Sequence, residues 1–195
     1  LNKSLSSLVG LCLGIAILTA IAPITSFANE GDNLMSLFER IGFLQWQPRI
    51  GDKMLIDTKG NFGYLIHSDG KYYRFSLVTG QRKYVSYIGR YYNAATPNWN
   101  WRAKSLEIKG DRVTFGPSGR FVRLFKDGNE HTAYGIHEYK YEDRIFQSPG
   151  RYGSMGCIVV RKPIMDIIEK TFEVNEGDFE VVSKYGIGPD LFVMR

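Results

Sequence analysis

Cysteine is scarce in this chain: the 195 residues contain two, Cys12 and Cys157, and only three histidines. So few cysteines exclude a disulfide-stapled scaffold unless those two pair. No run of five or more like charges occurs, so the net charge of +5 is too diffuse to demand nucleic acid as a partner. No apolar run reaches the roughly 20 residues that cross a bilayer as a helix. The longest, Leu8 to Ala22, has 15. Internal repeats and low-complexity linkers are missing too. With 44% hydrophobic and 23% charged residues, the composition excludes wholesale disorder and a polytopic membrane protein.

The apolar run is the first positive feature. Lys3 precedes it, Pro23 follows it, and Ser26-Phe27-Ala28 is a small-x-small cleavage signal. This pattern predicts a secretory signal peptide over 1–28, cut after Ala28, with membrane attachment only if the segment stays uncut. The remainder, 29–195, has 167 residues, and losing Lys3 takes the basic residues from 25 to 24 against 20 acidic, a charge of +4. Cys12 leaves with the leader. An exported chain with a single cysteine either pairs it with another chain or uses the thiol. Cys157 therefore becomes the first functional candidate.

A short helix is expected from Asn33 to Ile41, where Leu34, Leu37, Phe38 and Ile41 recur at helical spacing behind Asp32. That sets a lead-in over 29–52, before one strand-rich domain over 53–195. Strands are expected at Met54–Ile56, Phe62–His67, Tyr72–Val78, Tyr84–Ile88, Val113–Phe115, Phe121–Phe125, Thr132–His137 and Phe179–Val182, separated by Gly-, Asn- and Asp-rich turns. Short strands at this spacing make the fold mainly β, an antiparallel sandwich or barrel-like sheet. A helix follows Pro163, with Ile164, Ile167 and Ile168 as its apolar stripe.

The densest chemistry runs from Tyr134 to Arg161. Alternation along Thr132–His137 puts Ala133, Gly135 and His137 on one face. Twenty residues on come Ser154-Met155-Gly156-Cys157 and the apolar Ile158-Val159-Val160. A thiolate is the nucleophilic form of cysteine, and an imidazole can take the thiol proton and later return it to a leaving amine. The glycine before the cysteine permits tight backbone geometry that can aim N–H groups at an oxyanion.

His137 followed by Ser154-Met155-Gly156-Cys157 resembles the signature of the L,D-transpeptidases (the YkuD-type catalytic domain), a His, a gap, then Ser/Thr-His-Gly-Cys. Met54 to Gly80 is similar to the family's opening strands, Thr96-Pro97 to its Thr-Pro, and Pro163 onward to the helix after its cysteine. The resemblance covers roughly Lys53 to Ser183. It implies an L,D-transpeptidase-like β-sandwich with a short N-terminal helix and one helix after the cysteine. It also implies an exported enzyme of the periplasm or cell wall that acts on peptidoglycan stem peptides as a monomer, with neither metal nor organic cofactor. Cys157 would attack the third residue of the stem and release D-alanine, and the acyl group would pass to another stem (3→3 cross-linking) or to an envelope protein. His137 would be the base, the backbone carbonyl of Glu138 would orient its ring, and Gly156 and Cys157 would donate N–H groups to the oxyanion. Three positions depart from the family pattern. Met155 replaces a second His. Glu138 replaces Gly and sets a carboxylate beside His137 that raises its pKa. Val159 stands where an Arg is common, with Arg161 two residues on as a substitute. A carboxypeptidase or hydrolase on the same domain, and a non-catalytic glycan-binding β-protein, are the alternatives. Sortases differ in motif, and papain-like and NlpC/P60 peptidases reverse the order of Cys and His.

Ser154, Met155, Tyr139, Tyr141, Arg161 and Trp99 are the expected substrate contacts. Tyr139, Tyr141 and Phe146 belong to an insert between base and nucleophile. Trp99 and Trp101 sit in a stretch that reads as a polar loop. The bland reading fits the rest: His131 is a loop-edge histidine, His67 ends a strand, and the tyrosines between Tyr72 and Tyr92 are structural.

Overall fold

The computed structural model describes residues 41–187 except 43, so the expected signal peptide and nearly all of the Asn33–Ile41 helix lie outside the described residues. Residues 41–42 and 44–45 are helical, and Trp46 follows them into the core.

Eight strands form one mixed sheet. In chain order they are β1 (Lys53–Asp57), β2 (Phe62–Ile66), β3 (Tyr72–Ser76), β7 (Asn100–Ile108), β8 (Arg120–Lys126), β9 (Glu130–His137), β11 (Ile158–Val159) and β12 (Phe179–Lys184), after the short strands β4 (Thr79–Gly80), β5 (Tyr84–Tyr87), β6 (Arg90–Asn93) and β10 (Tyr152–Ser154) are set apart. Their spatial order is β11-β9-β8-β7-β12-β1-β2-β3. Helix α1 (Glu142–Phe146) lies in the insert, and α2 (Lys162–Val174) follows the cysteine. The architecture is mainly β, as the sequence predicts, but not purely antiparallel. β12 pairs with β1, β11 with β9, and β10 with β4 in parallel. The closing strand β12 is not at an edge: it lies between β7 and β1.

The sheet curls until its ends meet. Val78, just past β3, bridges Val159 of β11 with reciprocal N–H to carbonyl bonds of 2.9 and 2.8 Å. The core fills the concave side with Met54, Ile56, Leu65, Phe75, Trp101, Val122, Leu124, Ile136, Ile158, Phe179 and Val181. Helix α2 closes it with Ile164, Met165, Ile167 and Ile168. Pro163 sits in its first turn, where a missing N–H costs nothing.

Two strand expectations need correction. Val113–Phe115 is turn, not strand. The Asp111 carboxylate accepts the N–H groups of Val113 (2.9 Å) and Thr114 (3.0 Å), and Gly116 and Gly119 take positive φ, so the chain coils back on itself. Conversely, Asn100–Ile108 is a nine-residue strand. A register shift between Ala103 and Ser105 reverses its phase, so Trp101 and Ala103 face the core before the shift and Leu106 after it. Trp101 is a core residue, buried between the sheet's central strands.

Ser183 on β12 joins this region to the loop before β7. Its hydroxyl accepts Trp101 Nε1–H (2.8 Å) and Trp99 N–H (3.0 Å) and donates to the Pro97 carbonyl (2.6 Å). Ser183→Ala leaves two donors unpaired. It is expected to destabilise the fold by about 2–3 kcal/mol, measured by chemical denaturation.

Candidate functional site

The site is built around the turn that carries Cys157. β11 pairs in parallel with β9, Ile158 opposite Ile136 and Val159 opposite His137. Paired residues project to the same side, so Ile158 and Ile136 enter the core while Val159 and His137 face away from it. One residue earlier, Cys157 lies alongside Gly135, and its Sγ reaches the Ala133 carbonyl at 3.8 Å. The register thus brings His137 and Cys157 to one face of the sheet.

The turn is held from both ends. Ser154 O accepts Gln81 N–H at 2.9 Å, and Val160 N–H donates to His137 O at 3.0 Å. Thr96 Oγ1 donates to the Gly156 carbonyl (2.8 Å) and accepts Gly80 N–H (2.9 Å). The Thr-Gly and Thr-Pro segments therefore meet beneath the cysteine. Gly80 allows this contact, since a Cβ there would stand 1.9 Å from Ala94 O and 2.8 Å from Gly156 Cα. Gly156 has φ +119°, and a Cβ on it would lie 2.8 Å from the Tyr134 ring.

His137 is buried under the 111–119 turn, with the Phe115 ring edge-on at 5.1 Å and Phe121 at 6.0 Å. Its Nδ1–H donates to the backbone carbonyl of Glu138 at 2.5 Å. That favours the neutral tautomer with its proton on Nδ1. Burial pushes its pKa below the ordinary histidine value, while the Glu138 and Thr114 carbonyls and the Glu138 carboxylate pull the other way. The upward pull expected of Glu138 is present, but burial outweighs it. The Cys157 thiol is pushed up to about 11, again by burial, against the Gly135 backbone and the Arg123 guanidinium. Both shifts favour the neutral forms.

Arg123 belongs to this face. It lies 4.9 Å from the centre of the Phe121 ring, donates to the Thr132 carbonyl (2.6 Å), and forks onto Glu107, whose pKa this pairing lowers to about 2. Nothing in the sequence pattern pointed to it. Its cross-strand pairing with Gly135 becomes visible only in the fold.

The other expected residues divide. Met155 is exposed beside Gln81 Nε2 (3.7 Å), and its carbonyl accepts the Tyr92 hydroxyl (3.0 Å). Trp99 packs on Trp101 and, edge-on, on Tyr134, which contacts the cysteine turn. Tyr139 and Tyr141 touch each other 5.9 Å apart in the insert. Ser154 is buried, its hydroxyl bonded to Cys157 O (2.5 Å) and Gly156 N–H (3.1 Å). It shapes the turn and is not presented to a ligand. The same bond engages the Gly156 N–H expected for the oxyanion. Arg161 precedes α2 and pairs with Asp143 (3.1 Å) and Glu142 over the Phe146 ring, tying the insert to the helix. Its charge is spent there and not on Cys157. His131 stands edge-on to Phe125 at an exposed position. His67 is buried, with Nδ1 2.6 Å from Asp52 and Trp46 stacked on it at 3.8 Å. That trio pins the lead-in to the end of β2. Among the described residues no group of three or more His, Cys, Asp or Glu is placed to hold a metal ion.

No protein-family model matches the sequence, and no curated protein is significantly similar to it. Solved structures are similar in fold. The L,D-transpeptidase of Xylanimonas cellulosilytica aligns with a TM-score of 0.51 at 16% identity, over 71% of this chain and 63% of that one. The helical cell shape determining protein Pgp2 of Campylobacter jejuni aligns at 0.49 and 14% identity, over 78% and 57%. The first of these carries the assignment: the chain has the L,D-transpeptidase fold. It spans less than two thirds of the length of that structure's chain.

Two outcomes test the site. Alkylation of Cys157 by iodoacetamide is expected to rise with pH along a curve whose midpoint lies well above 8.5, towards about 11, because burial penalises the thiolate. A midpoint at or below 8.5 contradicts this. Thr96→Val leaves the Gly156 carbonyl and Gly80 N–H unpaired, with an expected loss of about 1–3 kcal/mol in denaturant unfolding.

Proposed function

We propose that the protein is an exported L,D-transpeptidase, a cysteine acyltransferase acting on peptidoglycan stem peptides in the periplasm or cell wall. One observation carries the reading: the parallel register of β11 on β9 sets Cys157 and His137 on one face, with His137 Nδ1 engaged by the Glu138 carbonyl. Export rests on the leader pattern over 1–28. The substrate class rests on the fold and on the motif at 154–157.

Because both pKa shifts favour the neutral thiol and imidazole, the proton moves as the bond forms. Cys157 Sγ attacks the carbonyl carbon of the third stem residue while His137 Nε2 takes the thiol proton. The oxyanion is received by the Cys157 N–H, since the Gly156 N–H is engaged by Ser154. The C–N bond to D-alanine breaks, and His137 returns the proton to the leaving amine. A thioester remains. An amine of a second stem or of an envelope protein attacks it, the C–S bond breaks, and the amine's proton passes through His137 to Sγ. Met155, Tyr139, Tyr141 and Trp99 are the proposed substrate contacts, and the proposed steps call on no metal or organic cofactor.

Mature protein incubated with tetrapeptide-stem muropeptides is expected to yield cross-linked dimers and free D-alanine by mass spectrometry. Cys157→Ala should reduce turnover by about 1,000-fold or more. A tripeptide product alone assigns a carboxypeptidase. Equal behaviour of wild type and Cys157→Ala overturns the proposal.

A further inference from the structure

The strongest feature outside the reacting groups lies behind His137. Glu138 is fully buried, and its backbone carbonyl is the partner of His137 Nδ1. Its side-chain Oε1 accepts Arg120 Nη2 (2.5 Å), Arg120 Nε (3.1 Å) and the Ser118 hydroxyl (2.7 Å). Arg120, itself nine-tenths buried, reaches Asp166 (2.6 Å) and Glu169 (2.5 Å) on α2. Glu138 Oε2 is buried with no hydrogen-bond partner. It lies against Gly116, where a Cβ would stand 2.4 Å from Glu138 Cβ and 3.1 Å from Oε2. Only glycine lets the turn close over this carboxylate.

We propose that Arg120 is a positioning residue for His137, acting through Glu138: it locks the residue whose carbonyl orients the base and fixes the carboxylate of that same residue. The inference rests on His137 being the general base.

Two physical arguments support it. A buried carboxylate with an unpaired oxygen is costly unless its charge is used, and a packing role alone would be served as well by an apolar side chain. Here the carboxylate belongs to the residue next to His137 in the chain and acts upward on the pKa of a ring that must become cationic when Cys157 gives up its proton. The cluster is also unbalanced in the useful direction. Glu138, Asp166 and Glu169 face two cations, Arg120 and Lys162, the latter 3.0 Å from Asp166, leaving a net charge of −1. On the turn that covers the ring, Asp111 is engaged with the backbone of Val113 and Thr114, and Arg112 donates to the Ser118 carbonyl. On the thiol side the charged neighbour is Arg123, paired with Glu107. Glu138 is thus the carboxylate adjoining the base, and Arg120 is what fixes it. The same contacts tie α2 to the base, so a shift of the helix would reach His137.

The test uses Glu138→Gln, Arg120→Lys and the double variant Arg120→Met with Glu138→Gln in the otherwise unchanged chain. His137 is titrated by NMR of its ring signals, alongside kcat, KM and the thermal midpoint. In Glu138→Gln the ring should titrate at lower pH than in wild type, the acid limb of the rate profile should shift down with it, and kcat should fall about tenfold at unchanged KM. Arg120→Lys, which keeps the charge but loses the fork, should fall between that variant and wild type. The double variant removes both buried charges together, so it supplies the same titration if Glu138→Gln alone does not fold. An unchanged His137 titration and kcat in a folded variant overturns the proposal. If wild type transfers no acyl group, the proposed activity fails, while the NMR titration still decides whether Glu138 and Arg120 act on His137.

Discussion

The two-residue strand β11 lies in parallel beside β9, and that pairing decides where Cys157 points. A slip of one residue would turn the thiol to the other side of the sheet and put Ile158 outside the core. Two residues cannot hold a register unaided, and much of the surrounding structure supplies the support. Val78 bridges Val159, Gln81 holds Ser154, and Thr96 joins Gly156 to Gly80. Ile158 and Val160 are buried with the isoleucines of α2. The curl of the sheet matters for the same reason, because it brings the chain after β3 against the cysteine turn.

Burial sets the electrostatic character of the pair. It pushes the thiol up to about 11 and the imidazole down, which disfavours a standing thiolate–imidazolium pair, and the proposed mechanism accordingly moves the proton as the bond forms. The charges near the pair are therefore placed around it rather than on it. Arg123, partly neutralised by Glu107, lies on the thiol side. Glu138, fixed by Arg120, lies on the imidazole side. In the proposed reaction, each favours the charged form that its neighbour would adopt.

Much of this was legible in the sequence where local rules apply. Strands such as Phe62–Ile66 and Arg120–Lys126 carry aromatic and β-branched residues between turn signals, and α2 carries both its proline and its apolar stripe. Glycine before Cys157 pointed to a constrained turn, which the positive φ of Gly156 bears out. The misses come from longer-range effects. The bulge in β7 breaks the alternation that would have revealed the strand, and the indole of Trp101 enters the core only because Ser183, 82 residues away, satisfies its N–H. Ser154 and Arg161 have the residue types of substrate contacts, but their partners Cys157 O and Asp143 use them internally. The Arg120–Glu138–α2 network joins three segments that no spacing rule connects.

In the proposed reaction Cys157 is acylated while His137 takes its proton. The most direct measurement is intact-mass analysis of the protein during incubation with a tetrapeptide stem, followed by mapping of any adduct. A thioester mass increase is expected on Cys157 in wild type and is not expected to accumulate on the same timescale in His137→Ala. An adduct forming equally fast without His137, or one located on a residue other than Cys157, would contradict it.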